Sequence, residues 1–214
     1  MTKAYSEIAV CRLSGSRNLT PVLNLGQQAL TGIFPRTREE IVTEGPLELV
    51  WCADSGLLQL RHSYLPDEMY GDNYGYRSGL NQSMVAHLAQ KAAFLERLAA
   101  LKSGDVVLDI GSNDGTLLRS YSRIHLRKIG IDPTGAKFRE YYPDDVLLVP
   151  EFFSVDAYRR VSSTQAKVVT SVAMFYDLEN PVSFAQQVAS VLASDGLWHF
   201  EQSYMPSMLR IEFI

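Results

Sequence analysis

Two aspartates and a glycine-interrupted turn are where this sequence could do chemistry. Val106 to Thr116 reads V-V-L-D-I-G-S-N-D-G-T, an apolar run ending in Asp109, then Gly111, a small polar turn and Gly115. Without a Cβ, glycine lets the backbone bend sharply and lets its N–H groups approach a bound molecule closely. Twenty-three positions after Asp109, a second apolar run, Lys128-Ile129-Gly130-Ile131, ends in Asp132 and Pro133. An acid at that interval is where a βαβ nucleotide-binding unit holds a ribose diol. The three-glycine spacing that cradles a pyrophosphate is missing, so the two strand ends together suggest a nucleoside ligand without one. The plainer alternative is a pair of tight turns, as in any doubly wound sheet.

The elements that must position these residues follow from periodicity. Ser83 to Leu101 has Met84, Leu88, Ala92, Leu95, Leu98 and Ala99 on one face, which predicts an amphipathic helix stopped at Lys102-Ser103-Gly104. His87 lies near the buried edge of that face and reads as structural. From Asp105 onward strand, helix and strand alternate, as a doubly wound α/β domain requires. Strands are expected at about 106–110, 128–132, 146–149, 167–173 and 196–201, and helices at about 115–126, 135–141, 154–161 and 181–193. Ligands of such sheets sit beyond the carboxyl ends of the strands. Ser171, Met174 and Phe175 could therefore line an adenosine pocket, although core packing explains the last two equally. Glu151, followed by Phe152 and Phe153, stands where a carboxylate can meet an adenine amino group beside an aromatic face. Glu201 and Tyr204 emerge at the productive edge of the last strand.

Upstream, residues 1–66 alternate short apolar segments with turn residues, which predicts a small β-rich domain. Residues 67–103 hold a tyrosine- and glycine-dense loop and the linking helix, and 104–214 the doubly wound domain. Tyrosines interleaved with glycine at 64–81 make a rigid surface with hydroxyl handles, suited to a binding lid or to a loop packed on its own aromatics. At 214 residues and 46% hydrophobic content the chain can bury a sizeable core. A net charge of −4 with interspersed signs offers no basic stripe, so a nucleic-acid partner is disfavoured. No apolar run is long enough for a membrane span and no signal core opens the chain, so a cytoplasmic protein without a membrane partner is expected. The two cysteines, Cys11 and Cys52, are too few for a disulfide scaffold.

D-I-G-S-N-D-G-T followed by G-I-D-P resembles the S-adenosylmethionine site of class I methyltransferases. The wider context, C-R-L-S-G-S, L-N-L-G-Q-Q-A-L-T-G, W-C-A-D-S-G-L-L-Q-L, Y-G-D-N-Y-G-Y-R-S-G and E-Q-S-Y-M-P, resembles nucleotide-sugar C-methyltransferases with an N-terminal zinc-binding domain. The resemblance implies a Rossmann-like doubly wound sheet with a small N-terminal β-rich domain. It also implies S-adenosylmethionine as cofactor, and methylation of a nucleotide-linked keto sugar through its enolate. On the matching positions, Asp109, Gly111, Asn113 and Gly115 would surround the methionine and ribose, and Asp132 the ribose hydroxyls. Tyr76 would be the active-site phenol, with Tyr74 and Ser78 as nearby polar groups.

The same resemblance implies zinc held by two Cys-x-x-Cys knuckles, but here Ser14 and Ser55 occupy the second position of each. A serine hydroxyl is not ionised near neutrality and is a poor zinc ligand, so no structural zinc is expected. The unit is then expected to rely on packing of Val50, Trp51, Leu57, Leu58 and Leu60 against the larger domain. The family continues past the equivalent of Ile214 with a His-Glu-His segment and a further domain, so a C-terminally truncated, incomplete sheet is expected. Two other readings stay open: methylation of an oxygen or nitrogen on a small molecule, and a non-catalytic cofactor- or partner-binding relative. The oligomeric state is not legible.

Overall fold

A computed structural model describes residues 4–30, 35, 37–70, 74–121 and 125–210. Its contacts divide the chain into two compact units, Met1–Tyr76 with Glu179–Val182, and Arg77–Leu178 with Ser183–Ile214.

The first unit is antiparallel. It contains β1 (Tyr5–Glu7), β2 (Leu19–Ala29), β3 (Glu44–Cys52), β4 (Leu58–Leu60), β5 (His62–Tyr64) and the short helix α1 (Pro66–Tyr70). Strands β2, β3 and β4 form one sheet, while β1 pairs with β5 in a separate ladder. The buried apolar set is small: Cys11, Val50 and Cys52. Trp51 corrects the packing expectation. Side chains alternate along a strand, and because Val50 and Cys52 point inward, Trp51 points outward and is 42% exposed. Polar groups supplement the thin core: the Arg12 guanidinium donates to Leu60 O at 2.7 Å and to Ser63 Oγ at 2.7 Å.

The second unit opens with α2 (Gln82–Leu98), then runs β6 (Val106–Ile110), α3 (Thr116–Arg119), β7 (Arg127–Ile131) and β8 (Val146–Val149). It continues with α4 (Val155–Val161), β9 (Ala166–Val172), α5 (Pro181–Val191), β10 (Leu192–Glu201) and α6 (Met205–Arg210). The five strands are all parallel, in the order β10-β9-β6-β7-β8. Every residue of β6 is buried, as a strand covered on both faces demands. One face packs Leu88, Ala92 and Leu95 of α2 and Leu117 and Leu118 of α3 on Val107 and Val168. The other packs Tyr158 of α4 and Phe184 and Val188 of α5 on Leu108, Ile129 and Val169. Chain order reverses between β6 and β9, so the crevice that such sheets use for ligands opens at the carboxyl ends of these two strands.

Three boundaries differ from the sequence reading, each for a local reason. Helix α2 starts where the Asn81 side chain accepts Ser83 N–H at 2.9 Å, and it stops at Ala100 rather than at Gly104. Ala100 takes the left-handed conformation (φ 48°), and Leu101 N–H returns to Glu96 O at 3.0 Å. The helix expected at 135–141 is two short 3-10 turns, Pro133–Ala136 and Arg139–Tyr141. The helix expected at 115–126 is four residues long, Thr116–Arg119, and residues 122–124 lie outside the described ones.

Candidate functional site

The glycine turn ties two strand tips together. Gly111 N–H donates to Ile131 O at 2.9 Å and Asn113 N–H to Asp132 Oδ2 at 2.8 Å, so the end of β6 is bonded to the end of β7. The geometry needs left-handed backbone at Gly111 (φ 76°), Asn113 (φ 51°) and Gly115 (φ 73°). Glycine meets that need at little cost, and asparagine is among the residues that best tolerate it. Space imposes a second requirement. A Cβ on Gly111 would lie 3.2 Å from Met174, and one on Gly115 would lie 3.0 Å from the Tyr142 ring. Tyr142 also donates its hydroxyl to Asn113 O at 2.7 Å and bonds Ser112 Oγ at 2.8 Å, which clamps the turn from outside.

The two aspartates have different surroundings. Asp109 is 3% exposed, with Oδ1 accepting the Thr170 hydroxyl at 2.6 Å from the neighbouring strand β9. Burial pushes its carboxyl up to about 7; the Thr170 bond opposes this and the nearby Asp132 charge adds to it. Asp132 is 6% exposed; besides Asn113 N–H, its other oxygen accepts Thr134 N–H and Oγ1–H, both at 2.6 Å. A carboxylate offers about four acceptor positions. With three used by the chain itself, one remains for a ligand hydroxyl.

Segment 77–79 is fastened onto this turn. Ser78 N–H donates to Asn113 Oδ1 and Gly79 N–H to Asp114 Oδ2, each at 2.9 Å. The Arg77 guanidinium lies 3.8 Å above the Tyr141 ring, with Nε 3.6 Å from Asp114. Asp114 also caps α3 by accepting Thr116 Oγ1–H at 2.6 Å. The sequence reading named Asn113 but passed over Arg77, Asp114 and Tyr142. An arginine set among tyrosines and glycines was a usable signal for the first, whereas Tyr142 lies in Y-Y-P with nothing local to mark it.

The other expected residues fall in different places. Asp109, Gly111, Asn113, Gly115, Asp132 and Ser78 come together at the β6 and β7 tips. Glu151 follows β8, and its carboxylate pairs with Arg160 of α4 at the surface. Ser171 is fully buried inside β9, which runs on to Val172; its hydroxyl accepts the Trp198 indole N–H at 2.9 Å, so it faces the α5 side of the sheet. Tyr74 and Tyr76 belong to the first unit, where Tyr74 packs on Tyr70 at 5.4 Å between ring centroids.

The residues at the tips fit an adenosine-type ligand in part. The turn is open backbone only where glycines allow it, and Asp132 retains one acceptor position. The zinc knuckles fit less well. Cys11-x-x-Ser14-Gly15 and Cys52-x-x-Ser55-Gly56 are the same turn twice, each closed by a glycine N–H to the cysteine carbonyl at 2.9 and 2.8 Å. The four side chains meet crosswise, with Cys11 Sγ 3.3 Å from Ser55 Oγ and Ser14 Oγ 3.6 Å from Cys52 Sγ. Burial raises the Cys11 thiol, but bonds from Ser14, Ser55 and two backbone groups outweigh it and bring it down to about 6. Two thiolates and two neutral hydroxyls fall short of the closed anionic set that tetrahedral zinc takes.

A parallel sheet whose order reverses at β6 and β9, with a glycine turn and an acid at adjacent tips, defines a class I methyltransferase fold of Rossmann-like type. The family profile described as a methyltransferase domain matches residues 84–207, more than half of the chain, which belongs to that family. A profile described as a zinc binding domain matches residues 11–70. The chain is 25% identical over 204 residues to C-methyltransferase NovU of Streptomyces niveus, covering 94% of this chain and 48% of the relative. It thus spans about half the length of that curated relative. Among solved structures, it is similar to the plantazolicin methyltransferase BpumL complexed with a pentazolic desmethylPZN analog and SAH. That match has a TM-score of 0.46 and 15% identity, covering 60% of this chain and 50% of the other. Precorrin-6y C5,15-methyltransferase from Geobacter metallireducens matches with a TM-score of 0.41 and 16% identity, covering 61% and 67%. Among the described residues no helix is long and apolar enough to cross a membrane.

Proposed function

We propose that the second unit binds S-adenosylmethionine and that the protein methylates a carbon of a nucleotide-linked keto sugar. The observation that carries this reading is the likeness to the C-methyltransferase NovU along almost the whole chain, glycine turn and zinc-domain remnant included. S-adenosylmethionine, when bound, supplies an electrophilic methyl group on a sulfonium.

The chain's own residues hold and orient. The backbone at Gly111 and Asn113 would meet the methionine and ribose, and the free acceptor position of Asp132 a ribose hydroxyl. Ser78, fastened by Asn113, would border the methionine end, and Glu151 would reach the base if it exchanged its Arg160 partner. Tyr76 would donate a hydrogen bond to the ketone oxygen of the sugar, with Tyr74 beside it, stabilising negative charge as it develops there. We also propose the domain division at 1–66, 67–103 and 104–214, a cytoplasmic location, and a first unit that folds without zinc.

Calorimetry with S-adenosylhomocysteine tests the cofactor reading. Binding that weakens about tenfold or more in Asp132→Ala, the equivalent of one charge-assisted hydrogen bond, is expected. No binding by the wild type, or binding indifferent to that substitution, would remove it. A methyl-transfer assay with a nucleoside-diphosphate keto sugar then tests the substrate class.

A further inference from the structure

A cluster of ionisable groups stands at the carboxyl end of β10, apart from the glycine turn. Glu201, the last residue of β10, pairs by register with Val172 of β9, and its carbonyl accepts Ala173 N–H at 2.7 Å. Ala173 leads directly to Met174, which lies against Gly111. Glu201 is therefore at the same end of the sheet as the candidate cofactor site and two strand spacings from β6, roughly 10 Å. Between them lies the tip of β9, the position open to a second reactant.

The side chains of Leu197, His199 and Glu201 alternate onto the α2 face of the sheet. There Glu201 Oε1 meets His87 Nε2 at 2.6 Å, and its Oε2 meets Lys91 Nζ at 3.0 Å. His87 and Lys91 are one turn apart on α2, so a single helix face delivers both. Burial raises the Glu201 carboxyl, but Lys91 and His87 outweigh burial and bring it below its ordinary value. His199 is held below its own ordinary value by burial first and Lys91 next. The remaining geometry follows from hydrogen-bond chemistry. An ionised carboxylate only accepts, so His87 must carry its proton on Nε2, which leaves Nδ1 as an unprotonated acceptor. Nothing among the described residues bonds Nδ1, and the ring is 39% exposed.

We propose that His87, oriented by Glu201 and Lys91, is a general base that takes the proton from the carbon next to the ketone of the substrate. This rests on the C-methylation reading, which requires such a base. In the step, the carbon–hydrogen bond breaks and the proton moves to His87 Nδ1. The bonding pair forms a carbon–carbon double bond as the carbonyl pair moves onto oxygen. The step is reversible, so in heavy water a deuteron returns to the carbon, and no methyl transfer is needed to see it. Glu201 is a positioning residue, and Lys91 keeps it ionised.

The test uses the full chain with S-adenosylhomocysteine and a nucleoside-diphosphate 4-keto-6-deoxyhexose in heavy water, following loss of the proton signal next to the ketone by NMR. Wild-type protein is expected to exchange that proton. His87→Gln, which keeps a donor towards Glu201 but has no basic nitrogen, is expected to exchange it at least about a hundredfold more slowly while binding S-adenosylhomocysteine normally. Glu201→Gln is expected to slow exchange less and to shift its pH profile. Nitrogen-15 NMR of the wild type at pH 8 should report the Nε2–H tautomer of His87, a readout independent of any substrate. Exchange at the wild-type rate in His87→Gln, no exchange by a wild type that does bind S-adenosylhomocysteine, or an Nδ1–H tautomer would each overturn the proposal. Failure to bind S-adenosylhomocysteine would fall on the methyltransferase reading instead.

Discussion

Asp109 and Asp132 look alike in sequence, each the acid that closes an apolar strand, yet their environments assign them different work. Asp109 is sealed between strands with a single hydroxyl donor, and its carboxyl titrates near 7 because burial penalises the charge. A group whose folded value lies above its unfolded one stabilises most below the unfolded value, near 4, and loses that contribution as pH rises to about 7. In Asp109→Asn this dependence should vanish. Urea unfolding at pH 4 and pH 7 should show the wild type losing up to roughly 4 kcal/mol relative to the variant across that window. Equal pH profiles would mean that the carboxyl is ionised in the fold. Tyr142 is the other residue whose role is local: its hydroxyl holds Asn113 O and Ser112. Tyr142→Phe should cost about 1 kcal/mol, read as a lower urea midpoint with an unchanged slope.

At the scale of elements, segment 77–79 behaves as an extension of the glycine turn rather than as a separate loop. Its two amides end on Asn113 and Asp114, and the Arg77 stack on Tyr141 holds the chain in that place. Asp114 thus serves two elements, capping α3 and receiving Gly79. Arg77→Ala should raise the hydrogen-exchange rates of the Ser78 and Gly79 amides about tenfold, the equivalent of a loosening of 1–2 kcal/mol, with the β6 amides unchanged. Unchanged exchange at 78 and 79 would show that the two backbone bonds suffice without the arginine.

The two units are stabilised by different means. The second has a sheet covered on both faces, whereas the first has few buried apolar side chains and a crossed quartet of Cys11, Ser14, Cys52 and Ser55. Because both knuckle turns keep their backbone bonds, restoring the two thiols should restore a metal centre. The double variant Ser14→Cys/Ser55→Cys is expected to copurify with one zinc per chain and to melt at a higher temperature with zinc than after chelation. The wild type is expected to show neither effect. Stoichiometric zinc in the wild type, measured by mass spectrometry of the metal, would show that hydroxyls and solvent complete its coordination.

By itself the sequence determined the alternation of strand and helix, the covered sheet and the glycine turn with its acids. Each of these rests on a local rule: apolar periodicity, glycine's tolerance of positive φ, and the short reach from one strand tip to the next. Only tertiary structure decided what lies against those residues. It turned Ser171 towards Trp198, brought Tyr142 over Gly115, directed Asp132 onto Asn113 and Thr134, and set His87 against Glu201, 114 positions away. Such pairings depend on which faces two distant elements present to each other. No local spacing encodes that, because it is fixed by the packing of the whole sheet.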